Sequence, residues 1–505
     1  MTTINLLQAD TLPIANPVAK WWVNRSDACT HCGICVEVCP TGVHKAGDGF
    51  VRMPQPRSEL CIGPSCGDGT PNSGRNCVTE CPEDALRVVP NESYEVLGDA
   101  RWPADLLNAT WHEAEYGVAP RNGLNYRTGN SGGGFDRMQF HVEDDPQFAA
   151  AEDLPTAYRQ ALSEVDLSIP LNRRSAGERI TISVPWYGGG MSYGSISLSV
   201  MLARASAAQR LGTFTSTGEG GYPVELARFK DNVMTQVATG LFGVREETVQ
   251  WARVIEIKYA QGAKPGLGGH LLADKVTRDV AEVREAVEHT NLFSPFPFHS
   301  VYSVEDHKKH VDWLKSVNPG ALISVKVSTP DDVDMVAVGS YYAGAHIIHL
   351  DGGYGGTGAA PDIAKKNIAM PIEFAIPKAH QFLVKEGIRD QVTLMASGGL
   401  RTPYDVAKAI ALGADGASIG TAELVAVECV RCANCESGRG CPKGIATTDP
   451  GLTPIIGTHW GAQRIVNMYS AWLGELALLL RALGMRSIAE LRGRTDVLKY
   501  ISNNH

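Results

Sequence analysis

The sequence predicts an α/β chain: a (β/α)8 TIM barrel, preceded by a cysteine-rich α+β domain and followed by a short C-terminal helical tail. Three observations predict this. From about Ile180 onward, short apolar runs alternate with helical patterns about eight times, the rhythm of a parallel sheet covered by helices. Glycine-bearing loops follow the candidate strands, where a barrel keeps its chemistry. All 12 cysteines fall into three tight groups, two near the N-terminus and one beyond the last candidate strand.

The first group is Cys29-x2-Cys32-x2-Cys35-x3-Cys39-Pro40 and the second Cys61-x4-Cys66-x10-Cys77-x3-Cys81-Pro82. A CxxCxxCxxxCP run is the ligand pattern of bacterial ferredoxins, in which the fourth Cys of each run ligates the other cluster. By that rule Cys29, Cys32, Cys35 and Cys81 hold one 4Fe–4S cluster, and Cys61, Cys66, Cys77 and Cys39 hold another. Residues 1–95 therefore read as a bacterial-ferredoxin-like domain. Its second run is stretched by Gly63-Pro64-Ser65 and by a loop from Gly67 to Asn76. Zinc is the alternative for CxxC pairs, but four-Cys runs ending in Cys-Pro are not a zinc-finger spacing. The third group, Cys429-x2-Cys432-x2-Cys435-x5-Cys441-Pro442, completes three four-cysteine sets and implies three 4Fe–4S clusters.

Composition narrows the partners. The formal net charge of -9 does not suit nucleic acid. No run reaches the roughly 20 apolar residues that span a bilayer, and Met1 to Lys20 lacks the basic-then-apolar pattern of a secretory signal. A cytoplasmic protein is expected, with thiols kept for metal and not paired as disulfides.

Residues 96–172 read as a structured connector carrying Trp102, Trp111 and Gly132-Gly133-Gly134. The barrel is expected over 173–450. Its candidate strands are Ile180–Pro185, Thr213–Ser216, Val233–Ala238, Ile255–Tyr259, Leu322–Val327, His346–Asp351, Val392–Ala396 and Gly416–Gly420. Helices are expected over Val304–Val317, Pro371–Glu386 and Pro403–Leu412. The tail, 451–505, reads as helices over Trp472–Leu483 and Ser487–Leu491.

Gly398-Gly399 and Gly420-Thr421 follow the last two strands, where barrels bind phosphate through backbone N–H groups. FMN would complement iron–sulfur clusters, because it takes electrons singly and passes them on as a pair. Gly353-Tyr354-Gly355-Gly356-Thr357-Gly358 fits GxGxxG, but no clear βαβ unit with an acidic ribose ligand follows it. It reads as a barrel loop over the flavin.

The stretch from about Met191 to Pro450 resembles the flavin-binding domain of the glutamate synthase family. The resemblance rests on Met191-Ser192-Tyr193-Gly194-Ser195, Ser216-Thr217-Gly218-Glu219-Gly220-Gly221, Gln236-Val237-Ala238-Thr239-Gly240, Lys258 through Gly266, Asp351 through Gly358, and Ser397-Gly398-Gly399-Leu400-Arg401. Fused to an N-terminal two-cluster region, it is similar to the short archaeal-type form. The resemblance implies reductive amination: 2-oxoglutarate and an amine form 2-iminoglutarate, which reduced FMN converts to L-glutamate. It further implies a catalytic set of Glu219, Lys264, Lys258, Gln261, Ser192 and His270. The flavin would be held by Met191, Ser192, Gln236, Lys258, Lys326, Asp351, Gly352, Gly353, Gly356, Thr357, Gly358, Ser397, Gly398, Gly399, Gly420 and Thr421. A dicarboxylate needs fixed cations, which Lys258 and Lys264 supply, and Glu219 is the candidate proton donor.

The chain departs from the family pattern at His270 (usually Gln), at Leu267 (commonly Glu) and at Phe298, which replaces the first His of a paired-His loop and leaves His299. Four cysteines stand in the third group, where large bacterial members use three. Thr2 is not the Cys nucleophile of a glutaminase, and the roughly 55 residues after Pro450 leave no room for the family's β-helix. Nitrogen is then expected from solution or from glutaminase-like and β-helix partner subunits, and electrons from ferredoxin or an NAD(P)H-oxidising subunit. N-methylglutamate synthase, which uses methylamine in place of ammonia, has this division of subunits and remains an alternative. A pure electron-transfer subunit is a third reading, against which Glu219, Lys258, Lys264 and Lys326 argue.

Overall fold

The structure is a computed structural model that describes residues 18–47, 52–63, 66, 75–120, 134–141, 153–175, 177–358, 360, 363–365, 367–436 and 439–501. Pro64-Ser65, most of the loop from Gly67 to Asn76, and Gly132-Gly133 lie outside them.

Eight parallel strands form the barrel: β1 (Trp186–Gly188), β2 (Thr215–Ser216), β3 (Val233–Ala238), β4 (Val254–Lys258), β5 (Leu322–Ser328), β6 (Ile347–Asp351), β7 (Thr393–Ser397) and β8 (Gly416–Ile419). From β2 to β8 neighbours in sequence are neighbours in the sheet, and β1 lies beside β8. The Gly188 N–H donates to Phe214 O at 2.8 Å and brings β1 against the entry to β2. Strands β3 to β8 are buried along their whole length, as parallel strands enclosed by helices must be.

One expected strand is corrected. Thr181–Ile182 pairs antiparallel with Ile169–Pro170 outside the barrel, and the first barrel strand is Trp186–Gly188. Ile180, Ile182 and Val184 alternate like a strand, but Pro185 cannot donate to a ladder. It joins only as an acceptor, from Ala417 N at 2.9 Å. The expected helices appear at Val304–Val317, Ile372–Lys385 and Pro403–Ala411.

Ahead of the barrel, Trp21–Arg25 pairs antiparallel with Leu86–Pro90, and a short helix spans Ile34–Val38 between them. Val23, Val43, Met53 and Leu86 make a small separate core with Cys35 and Cys77.

The C-terminal helix is longer than its apolar run suggests and spans Thr458–Ala482. Gln463, Arg464, Asn467 and Ser470 make its first half read as polar, yet all four are buried. Their partners explain this. Arg464 pairs with Glu115 at 2.5 Å, and the Asn467 amide donates to the carbonyls of Ala114 and Glu115, all on the Ala104–Tyr116 helix. Trp186 of β1 packs against Tyr469 and Trp472 at ring separations of 5.1 and 5.7 Å. Farther on, Ser487–Leu491 holds only a one-turn 3-10 helix over Ile488–Leu491, and Leu498–Tyr500 pairs antiparallel with Met138–Phe140.

Gly474 touches the Leu154–Glu164 helix so closely that a methyl group there would overlap the buried Tyr158 ring. Gly474→Ala is expected to cost about 1–3 kcal/mol by overpacking, read as a lower midpoint in thermal or denaturant unfolding.

Among the described residues, no helix is long and apolar enough to cross a membrane.

Candidate active site and cluster sites

The C-terminal ends of β3 to β7 carry a layer of polar side chains. Lys326 of β5 faces Asp351 of β6, with Nζ 3.4 Å from Oδ2. That carboxylate also accepts from the Gly262 N–H at 3.0 Å and from the Ser397 hydroxyl at 2.5 Å. Burial disfavours the Lys326 ammonium, but Asp351 and Glu256 outweigh it and hold its pKa above the ordinary lysine value. Gln236 of β3 donates to Glu256 at 2.6 Å.

Above this layer the loops meet backbone to backbone. A methyl group at Gly398 would strike the Gly352 peptide, and one at Gly356 would strike Thr421. Gly398 and Gly399 have φ of +95° and +107°, a region that L side chains rarely adopt. A methyl group at Gly190, after β1, would stand 2.8 Å from the Gln236 amide nitrogen. These glycines let the loops over β1, β3, β6 and β7 meet at close range and line the mouth there with backbone. Met191 and Gly353 border it, and Gly420 caps the short Thr421–Ala426 helix. Thr357 and Gly358 lie on its outer loop.

Cations crowd the adjoining side. Lys258 Nζ stands 3.0 Å from Glu219 Oε2. Lys264 is 3% exposed, and burial together with the Lys258 charge pushes its pKa down to about 8. His270 is also pushed down, by burial and by Lys264. Gln261 is half-buried on the same segment. Ser192 accepts at 2.8 Å from Arg284, whose guanidinium also donates to the Tyr193 and Glu219 carbonyls. Burial lowers the Arg284 pKa to about 10. The structure thus brings together Ser192, Glu219, Lys258 and Lys264 and adds Arg284. On its own short helix, Arg278–Arg284, that residue looks in sequence like a surface charge. Leu267 is 45% exposed and borders this region. Phe298 instead packs on Tyr259 and His310, while His299 is exposed.

Gly269 is the tightest point. A methyl group there would overlap the Glu219 carboxylate. Gly269→Ala is expected to break the Lys258–Glu219 pair and to lower kcat/KM by more than tenfold with thermal stability nearly unchanged. Steady-state kinetics beside a melting curve would check this.

The connector also reaches the mouth. The Arg101 guanidinium lies 3.6 Å from the Tyr354 ring centroid, and Asp99 pairs with Arg431 at 2.9 Å. Arg401 donates to the Arg101 carbonyl and pairs with Asp136. None of these contacts is readable from local sequence, because each joins segments about 250 to 330 residues apart.

The cysteines gather as well. Cys29, Cys32, Cys35 and Cys81 line one cavity, and Cys39, Cys61, Cys66 and Cys77 line another. Burial and the neighbouring Cys39, Cys66 and Cys61 push the Cys77 thiol up to about 12. Thiolates packed this way call for a cationic centre to share. Among the described residues no three such side chains converge on a single-ion site. Each cavity is lined by four thiols, the number of ligands that a 4Fe–4S cluster takes. In the third group burial raises the Cys429 and Cys435 thiols, with Cys435 and Cys441 adding to the rise at Cys429 and Cys441 adding to that at Cys435, and Cys432 is exposed beside them. Cys435 packs on the outer loop of the mouth: a Cβ at Gly358 would lie 2.7 Å from Cys435 Cβ and 3.5 Å from its Sγ. The next residue, Glu436, pairs with buried Lys275 at 3.5 Å.

Residues 137–486 match the conserved region in glutamate synthase, and residues 25–43 match a 4Fe–4S binding domain. The chain belongs to the glutamate synthase family. It is 37% identical over 493 residues to an archaeal-type glutamate synthase (NADPH) of Dehalococcoides mccartyi, covering 94% of each chain. An archaeal glutamate synthase (NADPH) of Archaeoglobus fulgidus is 34% identical over 94% of this chain and 93% of its own. The large chain of glutamate synthase (NADPH) from Azospirillum brasilense is 37% identical over 62% of this chain but only 21% of its own. As a member of the glutamate synthase family, the protein is an oxidoreductase.

Proposed function

We propose that this glutamate synthase chain reduces 2-iminoglutarate, formed from 2-oxoglutarate and an amine, to L-glutamate at the C-terminal mouth of its barrel. The observation that carries the reading is the convergence of Lys258, Lys264 and Arg284 on one side of that glycine-lined mouth, with a carboxylate, Glu219, among them. Lys258, Lys264, Arg284 and Lys275 outnumber the two carboxylates beside them, Glu219 and Glu436, and leave positive charge to spare, which suits a substrate with two carboxylates.

Lys264 and Arg284 would clamp the dicarboxylate, and Ser192, oriented by Arg284, would hydrogen-bond it. Glu219, set by Lys258, would exchange a proton at the imine nitrogen. Gln261 and His270 would complete the wall. The glycines at 352, 353, 356, 358, 398 and 399 with Gly420 and Thr421 would hold FMN, together with Met191, Gln236, Lys326, Asp351, Thr357 and Ser397. Bound and reduced, FMN would supply the hydride for the α-carbon. The three cysteine sets fit 4Fe–4S clusters, which would carry electrons from ferredoxin or an NAD(P)H-oxidising partner. The NADPH named for the relatives fits the second donor. Glutaminase-like and β-helix partner subunits would deliver the nitrogen.

Methylamine is the second nitrogen substrate to weigh, and the observation favouring it is local. His270 and exposed Leu267 stand where the family carries Gln and Glu, so the wall beside the clamp is less polar and less acidic. The test is an anaerobic product assay of the purified protein with its co-purifying partners. It is given a reductant, 2-oxoglutarate and either ammonium or methylamine, and products are identified by mass. Glutamate from ammonium supports the first reading, and dominant N-methylglutamate transfers the chain to the second. No amination product from either amine overturns both.

A further inference from the structure

Beneath Lys326 the barrel is not filled by apolar side chains alone. Glu256 of β4, His349 of β6, Ser397 of β7 and Asp351 of β6 form one continuous hydrogen-bonded chain, and every member is at most 7% exposed. His349 Nδ1 lies 2.9 Å from Glu256 Oε2, and Nε2 lies 2.7 Å from Ser397 Oγ. Ser397 in turn reaches Asp351 Oδ1 at 2.5 Å, and Asp351 Oδ2 faces Lys326. His349 and Lys326 are register partners on adjacent strands.

Donor counting fixes where the protons are. Asp351 faces the Lys326 ammonium and accepts from the Gly262 N–H; burial disfavours its charge, but these groups outweigh it and hold the carboxylate below its ordinary range. Ionised carboxylates only accept hydrogen bonds. Ser397 has one proton, and its contact to Asp351 is far shorter than the 3.5 Å to the Leu350 carbonyl, so it donates to Asp351. Its oxygen then accepts from His349 Nε2. Nδ1 and Glu256 Oε2, 2.9 Å apart, then share one proton between them, and Glu256 Oε1 accepts from the Gln236 amide.

We infer that His349 acts as a positioning residue for the flavin site: its Nε2–H orients Ser397, which fixes Asp351 and through it Lys326, and its Nδ1 shares with Glu256 the proton that keeps that pair neutral. This rests on the proposed flavin cradle and goes beyond it. The groups facing His349 are Glu256 on β4, Asp351 on its own strand and Lys326 on β5. The Tyr187 ring of β1 meets it edge-on at 5.9 Å. Lys326 balances Asp351, and the shared proton balances Glu256, so the layer is neutral. A side chain at position 349 that shares no proton with Glu256 leaves one uncompensated anion under a ring that becomes more negative on reduction. Burial magnifies that penalty.

The test is the flavin midpoint potential of the full chain, measured anaerobically against a reference dye for the wild type, His349→Gln and Ser397→Ala. The expected result is a shift to more negative potential in His349→Gln with FMN still bound, and a smaller shift in the same direction in Ser397→Ala. Ser397→Ala keeps the imidazole and serves alone if His349→Gln does not fold. FMN bound at the wild-type potential in the variants that fold overturns the role of His349 and leaves the cradle standing. A wild-type chain that binds no FMN overturns the cradle, and the role of His349 with it.

Discussion

Lys264→Ala is expected to retain FMN and all iron–sulfur absorbance and to lose turnover. Lys264 is buried beside Lys258, Glu219 and His270. Removing a buried cation that pairs with a substrate carboxylate costs about 2–5 kcal/mol, roughly 30- to 5,000-fold in kcat/KM. The wild type carries a pH signature of the same contact. With its pKa pushed down to about 8, Lys264 is a cation below that value and neutral above it. The KM for 2-oxoglutarate should therefore rise as pH climbs through about 8, displaced somewhat upward by bound substrate. Lys264→Arg should move that rise to higher pH, since Arg does not deprotonate in this range. Unchanged kinetics in Lys264→Ala would sink the clamp.

Cys432→Ser is expected to leave flavin binding intact and to slow flavin reduction by the physiological donor. Losing an outer-shell partner of a metal site costs roughly 10–100-fold; loss of a ligand should exceed that. In the proposed path the third cysteine group would be the last relay, since Cys435 packs on Gly358 of the loop at the barrel mouth. Dithionite, which can reach the flavin directly, should reduce the variant as fast as the wild type. Stopped-flow reduction with each donor separates the two routes. Equal rates with the physiological donor would remove this group from the electron path.

The barrel was legible because its strands are buried runs of the right length with glycine loops after them. Strand β3 follows the expected bounds at both ends, Val233–Ala238. The cysteine sets were legible because spacing alone carries the cross-ligation rule, and the two N-terminal cavities gather the four cysteines expected of each. What sequence hid has one physical cause. Gln463, Arg464 and Asn467 look like a solvated helix face, and Arg284 like a surface charge, because their partners lie far away in the chain. Burial of a polar residue is decided by its partner, and a partner about 350 residues distant leaves no local trace. The inward-facing Glu256 and His349 were missed for the same reason: each sits between apolar neighbours in its own strand, and its partner lies on another strand.

The Thr458–Ala482 helix sets the order in which this protein can be made. Its partners on the Ala104–Tyr116 helix are synthesised about 350 residues earlier. At roughly 5–20 residues per second, Ala104–Tyr116 waits on the order of tens of seconds before the segment that covers it leaves the ribosome. During that interval Leu106, Leu107, Trp111 and Ala114 are only partly covered, and β1 lacks the aromatic lid of Tyr469 and Trp472. That face of the helix and β1 thus wait for the Thr458–Ala482 segment, while the N-terminal hairpin, with a core of its own, can close much sooner.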